Sequence, residues 1–215
     1  MSKMATIDLE EARPYHHGDL RRALCDAARV ILERDGPAAL SLRAVAREAG
    51  VSPAAPYHHF KDKSDLMDAV AEVGWEELGA CMVKAKADAD PATKLQALGA
   101  AYVVFARANP AIYRIMYDRA RDSTSLPDKQ HKEDDTAYCM VRDTIVEMRH
   151  GTPDNPQQLE LACIAAWCMA HGLAEMASFQ QFAPLKDAAG GETAFYESIL
   201  SHLGLFSVDA VCGGE

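Results

Sequence analysis

The stretch 41–66 reads SLRAVAREAGVSPAAPYHHFKDKSDL and leaves the chain little freedom in what it can fold into. Leu42, Val45, Ala46 and Ala49 recur at helical spacing, and Ser41 before them is a natural N-cap. Gly50 stops that helix, because glycine accepts a left-handed backbone without cost from a Cβ atom. Val51 anchors the turn. Ser52 is placed to cap a third short helix, with Pro53 at its first position, where a missing N–H costs little. Pro56 sits worse, removing a backbone bond from a very short helix. Asp62 and Asp65 form a capping arrangement for a long fourth helix. Three short helices with a tight turn at Gly50–Val51 make a helix-turn-helix.

The rest of the chain repeats the helical period. No stretch sustains the two-residue alternation of a strand, and no hairpin dipeptide occurs. The sequence predicts an all-α protein of about nine helices. The first covers 18–35, with Leu20, Leu24, Ala27, Ala28, Ile31 and Leu32 on one face. The fourth continues to about residue 87, and Pro91 opens a fifth. Asn109-Pro110 leads into a sixth over 111–120. Residues 122–135 read as a polar loop, and further helices are predicted over 136–149, 157–182 and 193–206. The expected organisation is a flexible arm at 1–15, a helix-turn-helix domain at 16–63, a larger helical domain at 64–208 and a tail at 209–215.

Charge divides along the same line. The whole chain carries a formal net charge of -10. Residues 13–63, however, hold nine Lys/Arg against six Asp/Glu, before His16, His17, His58 and His59 are counted, while 64–215 hold twelve against twenty-three. A basic module on an acidic chain points to an anionic partner for that module alone.

Ser41, Gly50-Val51-Ser52, Tyr57-His58-His59-Phe60, Lys61, Lys63 and Leu66 keep the order and spacing of a known pattern. The segment resembles the DNA-binding signature of the TetR family of bacterial regulators over about residues 19–70. Pro56 departs from it, since the family usually has Leu there. The resemblance implies roles position by position. Ser41 and Arg43 would meet phosphate or a base edge. Ser52, Pro53, Ala54 and Ala55 would face the major groove. Tyr57, His59 and Lys61 would serve the backbone, with His58 near bases or phosphate. Lys63 would grip a phosphate at the start of the fourth helix, aided by that helix's dipole. Arg13, His16 and His17 precede the first helix, in reach of flanking backbone. Alanines offer few hydrogen bonds to bases, so readout would lean on Arg43, methyl contacts and DNA shape.

The resemblance also implies that the C-terminal helices bind an effector and dimerise. AWCMAHGLAEM carries a Trp-x-x-x-His-Gly element found in one branch of the family. Candidates for an apolar pocket are Trp75, Leu78, Met82, Tyr102, Phe105, Ile115, Met116, Tyr117, Met140, Trp167 and His171, many of which also suit a plain core. Small residues in the helix over 157–182 (Ala162, Ala165, Ala166, Ala170, Gly172, Ala174, Ala177) allow a close helix contact, within the chain or across a homodimer that also uses the last helix. The implied function is a repressor, released from a pseudo-palindromic double-stranded DNA operator by a small, largely apolar effector. No cofactor and no membrane partner are expected.

The alternative on the same fold is a metal- or thiol-redox-sensing regulator using Cys168 and His171, three apart on one helix. Two ligands do not make a zinc site, and the six cysteines show no CxxC pair. An enzyme is a third reading, but no Gly-rich phosphate loop, GxSxG or HExxH occurs. The first twenty residues are polar and acidic, without the apolar core of a signal peptide, and no apolar run approaches a membrane span, so a cytoplasmic protein is expected.

Overall fold

The inward face of the first helix sets up the N-terminal unit. In α1 (His17–Asp35), Leu24, Ala28, Ile31 and Leu32 are buried. The outward side carries Arg22–Asp26 and Arg29–Glu33 pairs at i,i+4 spacing. Gly36, at φ +77°, lets the chain turn out of α1. The computed structural model describes residues 17–120, 137–149 and 155–202. The expected arm 1–15, the loop 122–135, the tail 209–215, Arg13, His16 and Cys212 lie outside the described residues.

In α2 (Leu42–Glu48), Leu42, Val45 and Ala46 are buried, and the Ser41 hydroxyl accepts the Ala44 N–H at 3.1 Å. The end of α2 is a Schellman turn. Val51 N–H reaches Ala46 C=O at 2.9 Å and Gly50 N–H reaches Arg47 C=O at 3.3 Å, with Gly50 at φ +68°.

The third helix departs from expectation. Only a single 3-10 turn forms, Ala55–His58, and Ser52 does not cap it. The cause is Pro56. An α-helix from Ser52 would need a donor at residue 56, which proline lacks. Ser52 C=O instead accepts from Ala55 N–H at 3.0 Å, and Ala54 C=O from Tyr57 N–H at 3.1 Å. Pro56 is itself buried, so it fills the apolar position that the pattern usually gives to leucine.

A reciprocal cap starts α3 (Lys63–Asp88): Asp65 N–H donates to Asp62 Oδ1 at 3.0 Å, and Lys61 N–H to Asp65 Oδ2 at 2.9 Å. The chain divides into two compact units, Met1–Leu66 and Met67–Glu215, and α3 is continuous through the division.

The second unit is built around α4 (Lys94–Ala108), which packs on α5 (Pro110–Ala120), α6 (Ala137–Met148), α7 (Pro156–Met176) and α9 (Glu192–Leu200). Gly74 of α3 faces α5 so closely that a Cβ there would stand 2.6 Å from Ile112 Cγ2 and Met116 Sδ. A further helix that the sequence reading left unassigned, α8 (Ala183–Ala189), lies between α7 and α9. The predicted helix over 157–182 therefore ends early, at Met176. Lys186 Nζ then takes the Ala177 carbonyl at 2.7 Å, and Gly190 at φ +89° closes α8. Among the described residues there are nine α-helices and no strand. By length and composition α7 could cross a membrane, with mean hydropathy 1.2 over its best window. Here one side of it packs on α4 and α6.

Candidate functional site

In the N-terminal unit, Ser41, Arg43, Arg47, Ser52, Pro53, Ala54, Tyr57, His58 and Lys61 are all exposed, while Ala55 and His59 are half-buried. Arg43 and Arg47 are four apart, on the side of α2 away from its buried residues. Sequence reasoning passed over Arg47, although its spacing from Arg43 was visible. The acid of α2 is already used: Glu48 forms a bidentate pair with Arg34, at 3.3 and 3.0 Å. Phe60 is buried under Arg21, whose guanidinium lies 5.6 Å from the ring centre.

Lys63 is half-buried, and its ammonium donates to Pro37 C=O at 2.6 Å, holding the loop between α1 and α2. The N-terminus of α3 carries the Asp62 and Asp65 carboxylates, which offset the dipole that was expected to help hold a phosphate.

The second unit encloses a polar chain inside an aromatic cluster. The Trp167 indole N–H donates to Tyr117 Oη at 2.8 Å, and Tyr117 and Tyr102 hydroxyls are in hydrogen-bond contact. Tyr102 lies 3.1 Å from Tyr113 Oη and 3.2 Å from His171 Nδ1, and Tyr113 Oη is 2.6 Å from the same nitrogen. Three helices meet here: Tyr102 comes from α4, Tyr113 and Tyr117 from α5, and Trp167 and His171 from α7. Trp75 of α3 joins by ring contact, 5.6 Å from Tyr117 and 6.2 Å from Trp167. Burial, reinforced by Tyr117 and Tyr113, holds the Tyr102 phenol far above its ordinary range. Burial pushes Tyr113 up to about 12, against the opposing bond from Tyr102 and with help from the Glu175 charge. Both phenols are therefore neutral hydrogen-bonding groups at ordinary pH.

Beside this chain lies a narrow apolar cavity, whose lining includes Met82, Tyr102 and Trp167 together with Leu98, Val141 and Ala166. Of the expected pocket residues, Leu78, Ile115, Met116 and Met140 are buried among the core residues. Phe105 borders a separate open groove, which also exposes Cys81, Ala101 and Thr193 along its wall. Tyr113 was missed, although its i,i+4 spacing to Tyr117 placed both hydroxyls on one side of α5. The small residues of α7 and its C-cap divide: Ala166, Ala170, Ala174 and the cap Ala177 are buried within the unit, and Ala165 is exposed. Cys168 is exposed and free, and no group of three metal-ligating side chains occurs among the described residues.

Comparison with known proteins places these observations. Residues 24–70 match the profile described as bacterial regulatory proteins, tetR family. Residues 95–203 match the profile described as Tetracyclin repressor-like, C-terminal domain. The HTH-type transcriptional regulator AcrR of Shigella flexneri is 34% identical over 80 residues, 36% of this chain and 37% of that protein's length. A solved protein of unknown function from Rhodococcus sp. RHA1 is 31% identical, with a TM-score of 0.68 over 89% of this chain and 97% of its own. A TetR-family transcriptional regulator from Streptomyces coelicolor shares the fold, with a TM-score of 0.62 at 21% identity over 91% of this chain and 98% of its own. With both profiles matched in order along a helix-turn-helix unit and an all-helical second unit, the chain belongs to the TetR family of DNA-binding transcriptional regulators.

Proposed function

We propose that this protein is a cytoplasmic, homodimeric repressor that binds a pseudo-palindromic operator and is released by a small, largely apolar effector. The exposed pair Arg43 and Arg47, in the same unit as exposed Tyr57, His58 and Lys61, carries the reading. Arginine and lysine contact phosphate and guanine edges, whereas tyrosine and histidine add hydrogen bonds to the backbone. Ser52, Pro53 and Ala54 offer little hydrogen bonding, so the 3-10 turn would contribute close approach and shape while α2 supplies the charge. Ser41 is occupied as a cap, and its remaining lone pair and hydroxyl hydrogen are all it could bring to DNA.

The acidic remainder of the chain disfavours non-specific attachment and leaves binding to this face. Effector binding belongs to the aromatic core of the second unit. Because α3 carries Trp75 and Met82 and also runs into the N-terminal unit, it is the covalent route by which occupancy could alter the DNA-reading head. Such coupling requires the effector to bind one state better than the other.

Fluorescence anisotropy on operator DNA selected from genomic fragments tests the proposal across a range of salt. Tight, sequence-selective binding with a steep salt slope is expected. Arg43→Ala and Arg47→Ala should each flatten that slope by about two units, one from each subunit. Loss of selectivity at every salt concentration, with or without ligands, would end the repressor reading.

A further inference from the structure

The cavity beside Tyr102 and Trp167 has a chemistry of its own. Met82 of α3, Leu98 of α4, Val141 of α6 and Ala166 of α7 are apolar, and no charged side chain lines it among the described residues. Two lining residues carry polar atoms, and both atoms are engaged elsewhere. Trp167 Nε1 donates to Tyr117, and Tyr102 Oη is held among Tyr113, Tyr117 and His171. These residues consequently present ring surface to the cavity. Their rings meet edge to face, 5.5 Å apart at 67°, an arrangement that a third ring can extend.

We infer that this cavity is the contracted form of a binding site for a neutral, single-ring aromatic molecule, and that it rejects an organic anion of the same shape. The inference rests on the reading of the second unit as effector-binding and names the class of effector. A carboxylate in this place would be buried without a partner, at a cost of several kcal/mol. A neutral ring leaves no charge unpaired there and gains the two aromatic walls. The cavity as it stands measures about 20 Å3, roughly the room of one water molecule. A ring must therefore push the walls apart. Met82 is the wall member most able to move, being unbranched with three rotatable bonds. Tyr102 is both wall and hub of the polar chain, so its displacement disturbs contacts to α5 and α7 at once. Entry of the ring thus favours a different arrangement of α3, α4 and α7, which is what a releasing effector must do.

The two tryptophans of the chain, Trp75 and Trp167, both lie in this cluster, so intrinsic fluorescence reads the site directly. The experiment titrates the full chain with toluene and, separately, with benzoate, in the absence of DNA. Toluene should give a saturable change in tryptophan emission and raise the thermal midpoint, and benzoate neither. Met82→Ala enlarges the cavity and should tighten toluene binding by about three- to tenfold. Ala166→Leu fills it and should weaken binding by about tenfold or more. If the filled variant does not fold, the enlarged one decides alone. Benzoate binding as well as toluene, toluene affinity indifferent to Met82→Ala, or no saturable response would each overturn the inference. Operator anisotropy on the same protein keeps the two readings apart. Toluene binding without selective DNA binding removes the repressor and leaves the site, and DNA binding without toluene binding does the reverse.

Discussion

Tyr113 Oη lies 2.6 Å from His171 Nδ1, and this contact closes one end of the polar chain. At the other end Trp167 Nε1 is a donor only. Tyr117 accepts from it, and one consistent direction then runs from Tyr117 to Tyr102 to Tyr113 to His171, each hydroxyl donating to the next. In that direction the run ends on an acceptor, and the expected His171 tautomer carries its hydrogen on Nε2. Nitrogen-15 NMR of the histidine ring at neutral pH should show this form. A hydrogen found on Nδ1 would make His171 the donor to Tyr113 and turn the Tyr113 hydroxyl toward Tyr102, whose oxygen has two lone pairs to accept with.

Buried phenols, Tyr102 and Tyr113 among them, make the second unit sensitive to alkali. Tyr113 ionises in water near 10.0 and in the folded protein at about 12, and Tyr102 is raised further. The folded state holds these protons longer than the unfolded chain does. The contribution of Tyr113 is therefore complete below about pH 10 and is lost as pH rises from 10 through 12, while that of Tyr102 goes on falling above that window. Urea unfolding at stepped pH should show the midpoint falling over that window. Tyr113→Phe should flatten the fall while lowering stability at pH 7 by about 1 kcal/mol, the value of one hydrogen bond whose partner keeps a second contact.

Lys63 is where the resemblance and the geometry ask for different work. The pattern gives it a phosphate, whereas its ammonium is tied to Pro37 C=O. Lys63→Ala should lower the thermal stability of the protein, by roughly 1 kcal/mol for a half-buried charge-assisted bond. Its effect on DNA affinity should come without a change of salt slope. A slope reduced by about two units, one from each subunit, would instead show that Lys63 reaches phosphate once DNA is bound.

Legibility followed local rules closely and failed where a rule met a neighbour. Ser41 as a cap, Gly50 as a left-handed stop and Asp62–Asp65 as a reciprocal cap are one-dimensional features, and each formed. The third helix was misjudged because the Ser52-Pro53 start signal outweighed Pro56 four positions into it, although the missing donor decides the turn. The break after Met176 depends on Lys186 reaching back to Ala177 across nine positions, which no local pattern announces. In the core, Trp167 and His171 were visible by their spacing. That Tyr113 completes the chain depends on the packing of α5 against α7, which a single sequence does not display.

The outward face of α7 carries the last prediction. Leu161, Ile164, Ala165 and Cys168 are exposed at i, i+3, i+4 and i+7, and Met176, Phe179 and Leu185 continue the apolar surface toward α8. Leu161 is 57% exposed and Leu185 55%, values a chain seldom leaves to water in a row of this length. The exposed side of α9 is polar, with Glu192, Thr193, Glu197 and Ser198. We therefore predict that the expected homodimer contact uses α7 and α8 more than α9. Ile164→Asp places a charge in the middle of the strip without touching the buried residues of α7. Light scattering should find the wild type at twice the chain mass and the variant at the chain mass, with far-ultraviolet circular dichroism unchanged. Operator affinity should fall steeply in the variant, because two half-sites can no longer be engaged together. A variant that remained dimeric would place the two-fold contact on another surface, and a monomeric wild type would leave this strip without the partner assigned to it.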